Sequence, residues 1–166
     1  MILEPLRPSF LGSLPPGEAG TRLTLALMAR LVSDFKKHPQ VRETALELVS
    51  GLAPKDWRGE VSAIFAFVRD HVRYVRDVHD VETLQTPIVT LDLMQGDCDD
   101  KSTLLAALLQ SVGHKTRFVA TGYRSPGAYQ HVYVETPLGG SWTALDATVQ
   151  HHLGWRPRTP VARLVV

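Results

Sequence analysis

Cys98, the only cysteine of the chain, lies in the sequence Gly96-Asp97-Cys98-Asp99-Asp100. Gly96 and Asp97 interrupt the preceding segment, a Leu- and Ala-rich run follows, and Gly113 is a typical stop, which predicts a helix over residues 98–112. At the first turn of a helix, the unpaired backbone N–H groups and the positive end of the dipole favour thiolate over thiol. Cys98 is therefore a candidate nucleophile.

The neighbouring acids complicate this interpretation. A single cysteine is more often a small buried apolar residue, and the charges of Asp97, Asp99 and Asp100 oppose thiolate formation unless a cation offsets them. These acids lack the spaced ligands and glycine of a calcium loop, so we expect solvated side chains rather than a metal site. The adjacent His151-His152 is likewise expected to be exposed. No metal or cofactor is predicted.

A base and a group that orients it are also present. His131 opens a predicted strand over residues 131–135, and Asp146 ends another over residues 142–146. The two residues are equidistant from the centre of the predicted turn at 137–140, so a regular hairpin would make them cross-strand partners. Alone, each is more often a strand histidine or a turn residue. Together with Cys98 they suggest nucleophilic catalysis by a thiol.

Three helices are predicted ahead of this region from apolar residues at helical spacing. The first covers residues 20–37. The second has its buried face at Val41, Ala45, Leu48, Val49 and Leu52. The third covers residues 57–71, with Asp56 as its N-cap. Residues 72–75 are predicted to be extended, and the polar run 76–86, which contains His79, is interpreted as a surface loop that could line a substrate cleft.

Beyond Gly113 the pattern changes to alternation, which predicts strands over residues 116–123, 131–135 and 142–146. Short connections at 124–127 and 137–140 make neighbouring strands antiparallel. Helices followed by a β-meander indicate an α+β fold. The proline-rich residues 1–19 are predicted to form an extended arm, and the tail from 149 to 166 is predicted to be irregular.

Composition limits the functional classes. The 166 residues suit a single domain, and 18 Lys and Arg balance 17 Asp and Glu without a basic stripe, so no nucleic-acid partner is expected. One cysteine excludes an internal disulfide framework and fits a reducing compartment. The first residues read neither as a secretory signal nor as a membrane span. The expectation is a soluble, cytoplasmic protein without membrane partners.

The sequence resembles the transglutaminase-like superfamily of cysteine enzymes, and particularly its short stand-alone bacterial and phage members, often described as cysteine peptidases. The resemblance covers residues 57–148. It rests on four blocks in order: Gly96-Asp97-Cys98 with its Leu-rich helix, residues 113–119, residues 131–135 and residues 142–148.

This resemblance implies a papain-like core in which a buried cysteine helix packs on a small antiparallel sheet, with residues 57–148 as the catalytic part of one domain, 1–166. It also implies roles: Cys98 as nucleophile, His131 as base and acid, and Asp146 as the group that orients His131. The Cys98 backbone N–H is the natural first oxyanion donor. Gln95, slightly ahead of Gln85, is a guess for the second donor.

The expected activity is acyl transfer from an amide through a thioester, with hydrolysis of a peptide or isopeptide first. Trp142, on the Asp146 strand, is expected to border the site. The substrate would be a peptide or protein. Two alternatives stay open: a protein-glutamine transamidase, and a non-catalytic binding or assembly module, for example in a phage particle.

Overall fold

The computed structural model describes residues 10–12, 14–76 and 82–166. His79 and most of the predicted N-terminal arm lie outside these residues. The helices of the described part are α1 (Gly17–Phe35), α2 (Pro39–Val49), α3 (Trp57–His71), α4 (Pro87–Leu93) and α5 (Cys98–Ser111). The strands are β1 (Phe10–Gly12), β2 (Arg73–Tyr74), β3 (Glu82–Leu84), β4 (Gln95–Gly96), β5 (Arg117–Gly122), β6 (His131–Leu138), β7 (Ser141–Leu145) and β8 (Ala162–Val165).

The helix α5 forms the centre of the molecule. The residues from Leu104 to Leu109 are fully buried, and α5 contacts α1, α2, α3, α4 and the strand β6. A helix that is apolar on all sides must be covered on all sides, and these five elements provide the cover. The prediction of a buried helix beginning at Cys98 is confirmed.

The sheet next to α5 has the strand order β7-β6-β5-β8, and each neighbouring pair is antiparallel. Val132 and Val134 of β6 belong to the main core with α5. Tyr133, between them, belongs to a smaller cluster, as expected because successive side chains of a strand point to opposite faces. The observed architecture agrees with the predicted α+β arrangement of helices followed by a meander.

A buried carboxylate, Glu135, lies two residues after Tyr133 on β6. Glu135 is fully buried and is paired with three guanidinium groups. Its side-chain oxygens lie 2.8 Å from Nε of Arg117, 3.3 Å from Nη2 of Arg163 and 3.4 Å from Nη2 of Arg156. Because an isolated buried carboxylate is costly, this pairing is what makes Glu135 tolerable inside the protein.

The predicted boundaries of α3 are correct, and so is its N-cap. Asp56 accepts a hydrogen bond from the Gly59 backbone N–H at 2.9 Å.

The helix α1 begins at Gly17, three residues earlier than predicted and inside the segment expected to be extended. Gly17 follows Pro16, which is extended with ψ 157° and forms the N-cap.

The segment before Cys98 contains more structure than the predicted surface loop over 76–86. The strand β3 lies within that range and pairs with β1, and Leu84 is buried. The helix α4, which the sequence analysis missed, follows at once. Pro87 occupies its first turn, where a missing N–H costs nothing, and the Thr86 hydroxyl accepts from the Val89 N–H at 3.2 Å. Seven residues are too few for a clear helical period.

The prediction of an irregular C-terminal tail is wrong for its last residues. The strand β8 pairs with β5 in the register Val119↔Val165 to Gly122↔Ala162. Its side chains alternate between buried and exposed positions. The alternation extends over only four residues and follows Pro157 and Pro160, which obscured it in the sequence.

Among the described residues, no helix combines the length and the apolar character needed to cross a membrane.

Candidate active site

Local hydrogen bonds fix the point at which α5 begins. The Asp97 side chain accepts from the backbone N–H groups of Asp99 (3.0 Å) and Asp100 (3.2 Å), and the Asp100 carboxylate accepts in return from the Asp97 N–H at 3.3 Å. This reciprocal arrangement is a capping box built from two aspartates. It holds Cys98 as the first residue of the helix.

Asp100 is 1% exposed, so the expectation that it is a solvated acid is wrong. Its second carboxylate oxygen accepts from the backbone N–H of Gln85 at 2.8 Å. Asp100 therefore connects the start of α5 to the segment between β3 and α4. Buried hydrogen-bond acceptors of this kind stabilise a unique backbone geometry.

The close approach of Asp100 explains why residue 96 is a glycine. A Cβ atom added at Gly96 would lie 2.5 Å from the Cβ atom of Asp100 and 2.9 Å from its Oδ2. Real Cβ atoms do not approach other carbon atoms so closely, and the first turn of α5 would have to move. Gly96 therefore lets β4 run directly beside that turn.

The Cys98 sulfur lies between an acid and a backbone donor. Its thiol is 3.5 Å from Oδ1 of Asp99, to which it donates, and the sulfur also accepts from the backbone N–H of Val132. Burial, followed by the charges of Asp99 and Asp97, raises the pKa of the Cys98 thiol well above its ordinary value, and the Val132 N–H opposes this only in part. The helix start does not produce a thiolate here. A neutral thiol must lose its proton to a base when it reacts.

His131, the candidate base, is paired with a carboxylate. His131 Nε2 lies 2.7 Å from Oδ2 of Asp146. The other oxygen of Asp146 accepts from the Thr148 hydroxyl (2.6 Å) and the Thr148 N–H (3.1 Å). Burial would raise the pKa of Asp146, but the bonds from His131 and Thr148 outweigh it and the pKa is lowered. An ionised Asp146 only accepts, so Nε2 of His131 carries the proton and Nδ1 is the atom that can take one.

The structure corrects the predicted register of this hairpin. The pairs run from Val134↔Leu145 to Leu138↔Ser141, so the turn is Gly139-Gly140, and both glycines have positive φ. If the pairing continued in that register, residue 148 and not Asp146 would lie opposite His131. The error is two residues, an even number, so both side chains keep the same face and meet diagonally.

The packing of α5 on β6 brings Cys98 to Val132, the residue that follows His131. Val132 follows His131 directly, and its N–H contacts the Cys98 sulfur. One turn further along α5, the Ser102 hydroxyl donates to the Val132 carbonyl at 3.4 Å. Cys98 is thus the first residue of α5, His131 the first residue of β6, and Asp146 the residue after β7.

The other two predicted site residues, Gln95 and Trp142, make their described contacts with residues other than Cys98, His131 and Asp146. Gln95 pairs with Arg73 across the β2–β4 ribbon and accepts from Arg73 Nη2 at 2.7 Å. Trp142 is near the far end of α5, with Cζ of Arg117 4.0 Å from its ring centroid. There it lines a cleft of about 400 Å³ together with Lys36, Gln110, Gly113, His114, Lys115 and Thr116. The contacts of Trp142 therefore do not place it beside Cys98.

The sequence analysis missed Lys101, which is 2% exposed. Its ammonium group donates to the backbone carbonyls of Val72 (2.5 Å) and Arg69 (3.4 Å) at the end of α3. Burial lowers its pKa to about 8, although the negative charges of Asp146 and Asp70 act to raise it. Lysines are rarely buried, so a lysine beside two aspartates gave no signal in the sequence.

Among the described residues, one group of side chains could hold a metal ion, and two adjacent histidines lie in the C-terminal segment. Side-chain atoms of Asp97, Cys98 and Asp99 lie within 4.8 Å of one another, and Oδ1 of Asp97 already accepts from two backbone N–H groups at the start of α5. His151 and His152 are both exposed, and the ring of His151 stacks on Trp155 with centroids 4.0 Å apart.

Comparison with known proteins gives the family and the fold. The model of the transglutaminase-like superfamily matches residues 42–147. Two solved structures are similar: a candidate cysteine protease from Cytophaga hutchinsonii (18% identity, TM-score 0.55, 73% of this chain and 42% of that chain) and a candidate protease from Parabacteroides distasonis (14% identity, TM-score 0.65, 100% and 34%). This chain spans less than half of each. No curated protein sequence matches.

Proposed function

The chain belongs to the transglutaminase-like superfamily, and on that premise we propose that it is a cysteine-dependent acyl-transfer enzyme that cleaves amide bonds through a thioester on Cys98. The observation that carries the proposal is the 2.7 Å contact between His131 and Asp146 at the strand end where Val132 contacts the Cys98 sulfur. A nucleophile, a base and a group that orients the base are the parts this chemistry needs.

The proposed first step begins from a neutral thiol. His131 Nδ1 takes the Cys98 proton while the sulfur attacks the amide carbonyl carbon, and the negative charge moves to the carbonyl oxygen. Asp146 stabilises the imidazolium that forms. The tetrahedral intermediate then collapses, the C–N bond breaks, and the imidazolium gives its proton to the departing amine. The acyl group remains on Cys98 as a thioester.

In the second step, water gives a proton to His131 and attacks the thioester. A carboxylic acid leaves, and Cys98 recovers its proton. Hydrolysis of a peptide or isopeptide is our first candidate, supported by the two structural relatives that are described as candidate proteases. Amine transfer is the second candidate, because the carboxylates of Asp97 and Asp99 beside the thiol would attract a cationic amine.

The experiment presents general and glutamine-containing peptide libraries to the protein, with and without a primary amine, and follows cleavage, ammonia release and amine incorporation by mass. Cys98→Ser and His131→Ala should fold but lose turnover. His152→Ala, a change at an exposed histidine, should fold and keep turnover. Cleavage identifies a peptidase, and amine incorporation with ammonia release identifies a transamidase. Absence of both, with a binding partner retained equally by wild type and Cys98→Ser, would overturn the enzyme proposal in favour of a binding module.

A further inference from the structure

We propose that Tyr74 is a catalytic residue whose hydroxyl donates a hydrogen bond to the carbonyl oxygen of the substrate while Cys98 attacks. The inference rests on the proposed function, and it assigns the second donor of the oxyanion site. The first donor is the Cys98 backbone N–H, which belongs to the first turn of α5 and has no partner within the helix.

The backbone places Tyr74 next to the nucleophile. The strands β2 and β4 are parallel, with Tyr74 opposite Gly96, two residues before Cys98. The ribbon is closed by the bonds from Arg73 N–H to the Met94 carbonyl (2.9 Å) and from Val75 N–H to the Gly96 carbonyl (3.0 Å). Neighbouring strands are about 5 Å apart, so Tyr74 is within side-chain reach of the start of α5.

Alternation within the ribbon gives the direction of its side chains. At Gly96 the Cβ position points at Asp100 in the first turn of α5. Residues that are paired in register point to the same face, so Tyr74 points toward that turn. Arg73 and Gln95 occupy the opposite face, as their mutual hydrogen bond requires. Gln95 is therefore replaced by Tyr74 as the candidate donor.

The bond between Tyr74 and Arg76 uses the phenol oxygen and not the phenol proton. Arg76 bonds to the Tyr74 hydroxyl, and a guanidinium group can only donate, so the phenol oxygen must accept. Burial, followed by the charge that Cys98 carries once it is ionised and by the charge of Asp97, raises the pKa of Tyr74. The phenol thus keeps its proton at neutral pH. Tyr74 is 42% exposed and can be reached by a bound substrate.

Gln85, the other glutamine considered as an oxyanion donor, is less suited to this role. Gln85 directs its side-chain oxygen to the Thr90 hydroxyl at 3.2 Å, and its backbone N–H is bonded to Asp100. Both bonds turn Gln85 toward α4 and the capping box. Tyr74 combines a position opposite Gly96, a side chain directed at the first turn of α5, and a phenol proton that its bond with Arg76 does not use.

The test compares two reactions of the same thiol. Iodoacetamide alkylates Cys98 by displacement, without an oxyanion, whereas p-nitrophenyl acetate acylates it through a tetrahedral oxyanion. Tyr74→Phe should slow acylation about 100- to 1000-fold, as loss of one oxyanion donor does, while alkylation stays within about twofold. Tyr123→Phe is the matched control, since Tyr123 is 38% exposed and its hydroxyl bonds to Thr121 at 3.1 Å. Intact-mass measurements on the full chain follow both reactions.

Each other outcome overturns a specific claim. Equal acylation of wild type and Tyr74→Phe, with faster acylation in wild type than in His131→Ala, would overturn the role of Tyr74 and leave the proposed function standing. Equal loss of acylation and alkylation in Tyr74→Phe would show that Tyr74 acts on the thiol and not on the oxyanion. Acylation of wild type no faster than of His131→Ala would overturn the proposed function and, with it, the inference.

Discussion

His131 Nε2 and Asp146 Oδ2 are 2.7 Å apart although the two residues are not paired in the β6–β7 hairpin. The contact is diagonal: β7 ends at Leu145, and Asp146 reaches back to the first residue of β6. Thr148 holds the other carboxylate oxygen, so the carboxylate has a fixed orientation before it meets the imidazole. This arrangement determines which ring nitrogen of His131 carries the proton, and the first prediction follows from it.

Asp146→Asn should reduce kcat without unfolding the protein. The amide oxygen can still accept from Thr148, but the NH2 group then faces Nε2 and favours the tautomer with its proton on Nδ1. That tautomer cannot take the Cys98 proton, and a loss of about 10²- to 10⁴-fold is expected. Steady-state kinetics on a substrate from the library screen measure the loss. Asp92→Asn, on the exposed surface of α4, is the control, and an unchanged kcat in Asp146→Asn would contradict the assigned role.

Asp99→Asn should make Cys98 more reactive toward iodoacetamide near neutral pH. The Asp99 carboxylate accepts from the thiol at 3.5 Å, and after burial its charge is the main cause of the raised pKa of Cys98. Removal of the charge lowers that pKa, so the rise of the alkylation rate with pH should begin at lower pH. The measurement is the alkylation rate against pH for wild type, Asp99→Asn and the exposed Asp34→Asn. Superimposable profiles would show that Asp99 does not control the thiol.

Lys101→Met should change how stability depends on pH. The folded pKa of Lys101, about 8, is below its ordinary value of 10.5, so between these values the unfolded chain binds more protons than the folded chain. The contribution of Lys101 to the free energy of unfolding must therefore rise as pH increases from about 8 to 10.5, by roughly 3 kcal/mol. That rise should be missing from Lys101→Met.

Urea unfolding of both proteins at pH 7, 9 and 10.5 measures the effect as a difference, so that tyrosines and other groups cancel. Lys37→Met, at an exposed position beyond the end of α1, should keep the full pH dependence of the wild type. An identical pH dependence in Lys101→Met and wild type would mean that the buried ammonium group does not titrate in this range.

Gly96→Ala should destabilise the protein and disturb the start of α5. The added methyl group would lie 2.5 Å from the Asp100 Cβ atom, and relief requires movement of the capping box. Overpacking of this kind costs about 1 to 3 kcal/mol. Gly51→Ala is a matched control because no atom lies within 4 Å of its added Cβ. Urea unfolding should separate the two variants, and equal stabilities would mean that β4 can shift away from Asp100 at little cost.

Local patterns were sufficient for much of the fold. The Leu- and Ala-rich run predicted α5, Asp56 predicted the start of α3, and alternation predicted the central strands, because these signals need only a few neighbouring residues. The predicted register of the β6–β7 hairpin was wrong because of Pro137. That residue was assigned to the turn, yet it lies in β6 opposite Trp142. The pairing of β6 with β5 ends at Glu135, so beyond it a proline need not donate to a strand on that side.

The sequence by itself determined the identities of the candidate nucleophile, base and orienting acid, and the elements that hold them. Only the tertiary structure decided the state of Cys98, the buried role of Asp100, the capping of α3 by Lys101 and the position of Tyr74 opposite Gly96. These properties arise where α5 meets α3, β2 and β6. Burial and electrostatic environment depend on contacts between residues far apart in the chain, and no spacing within a single segment encodes them.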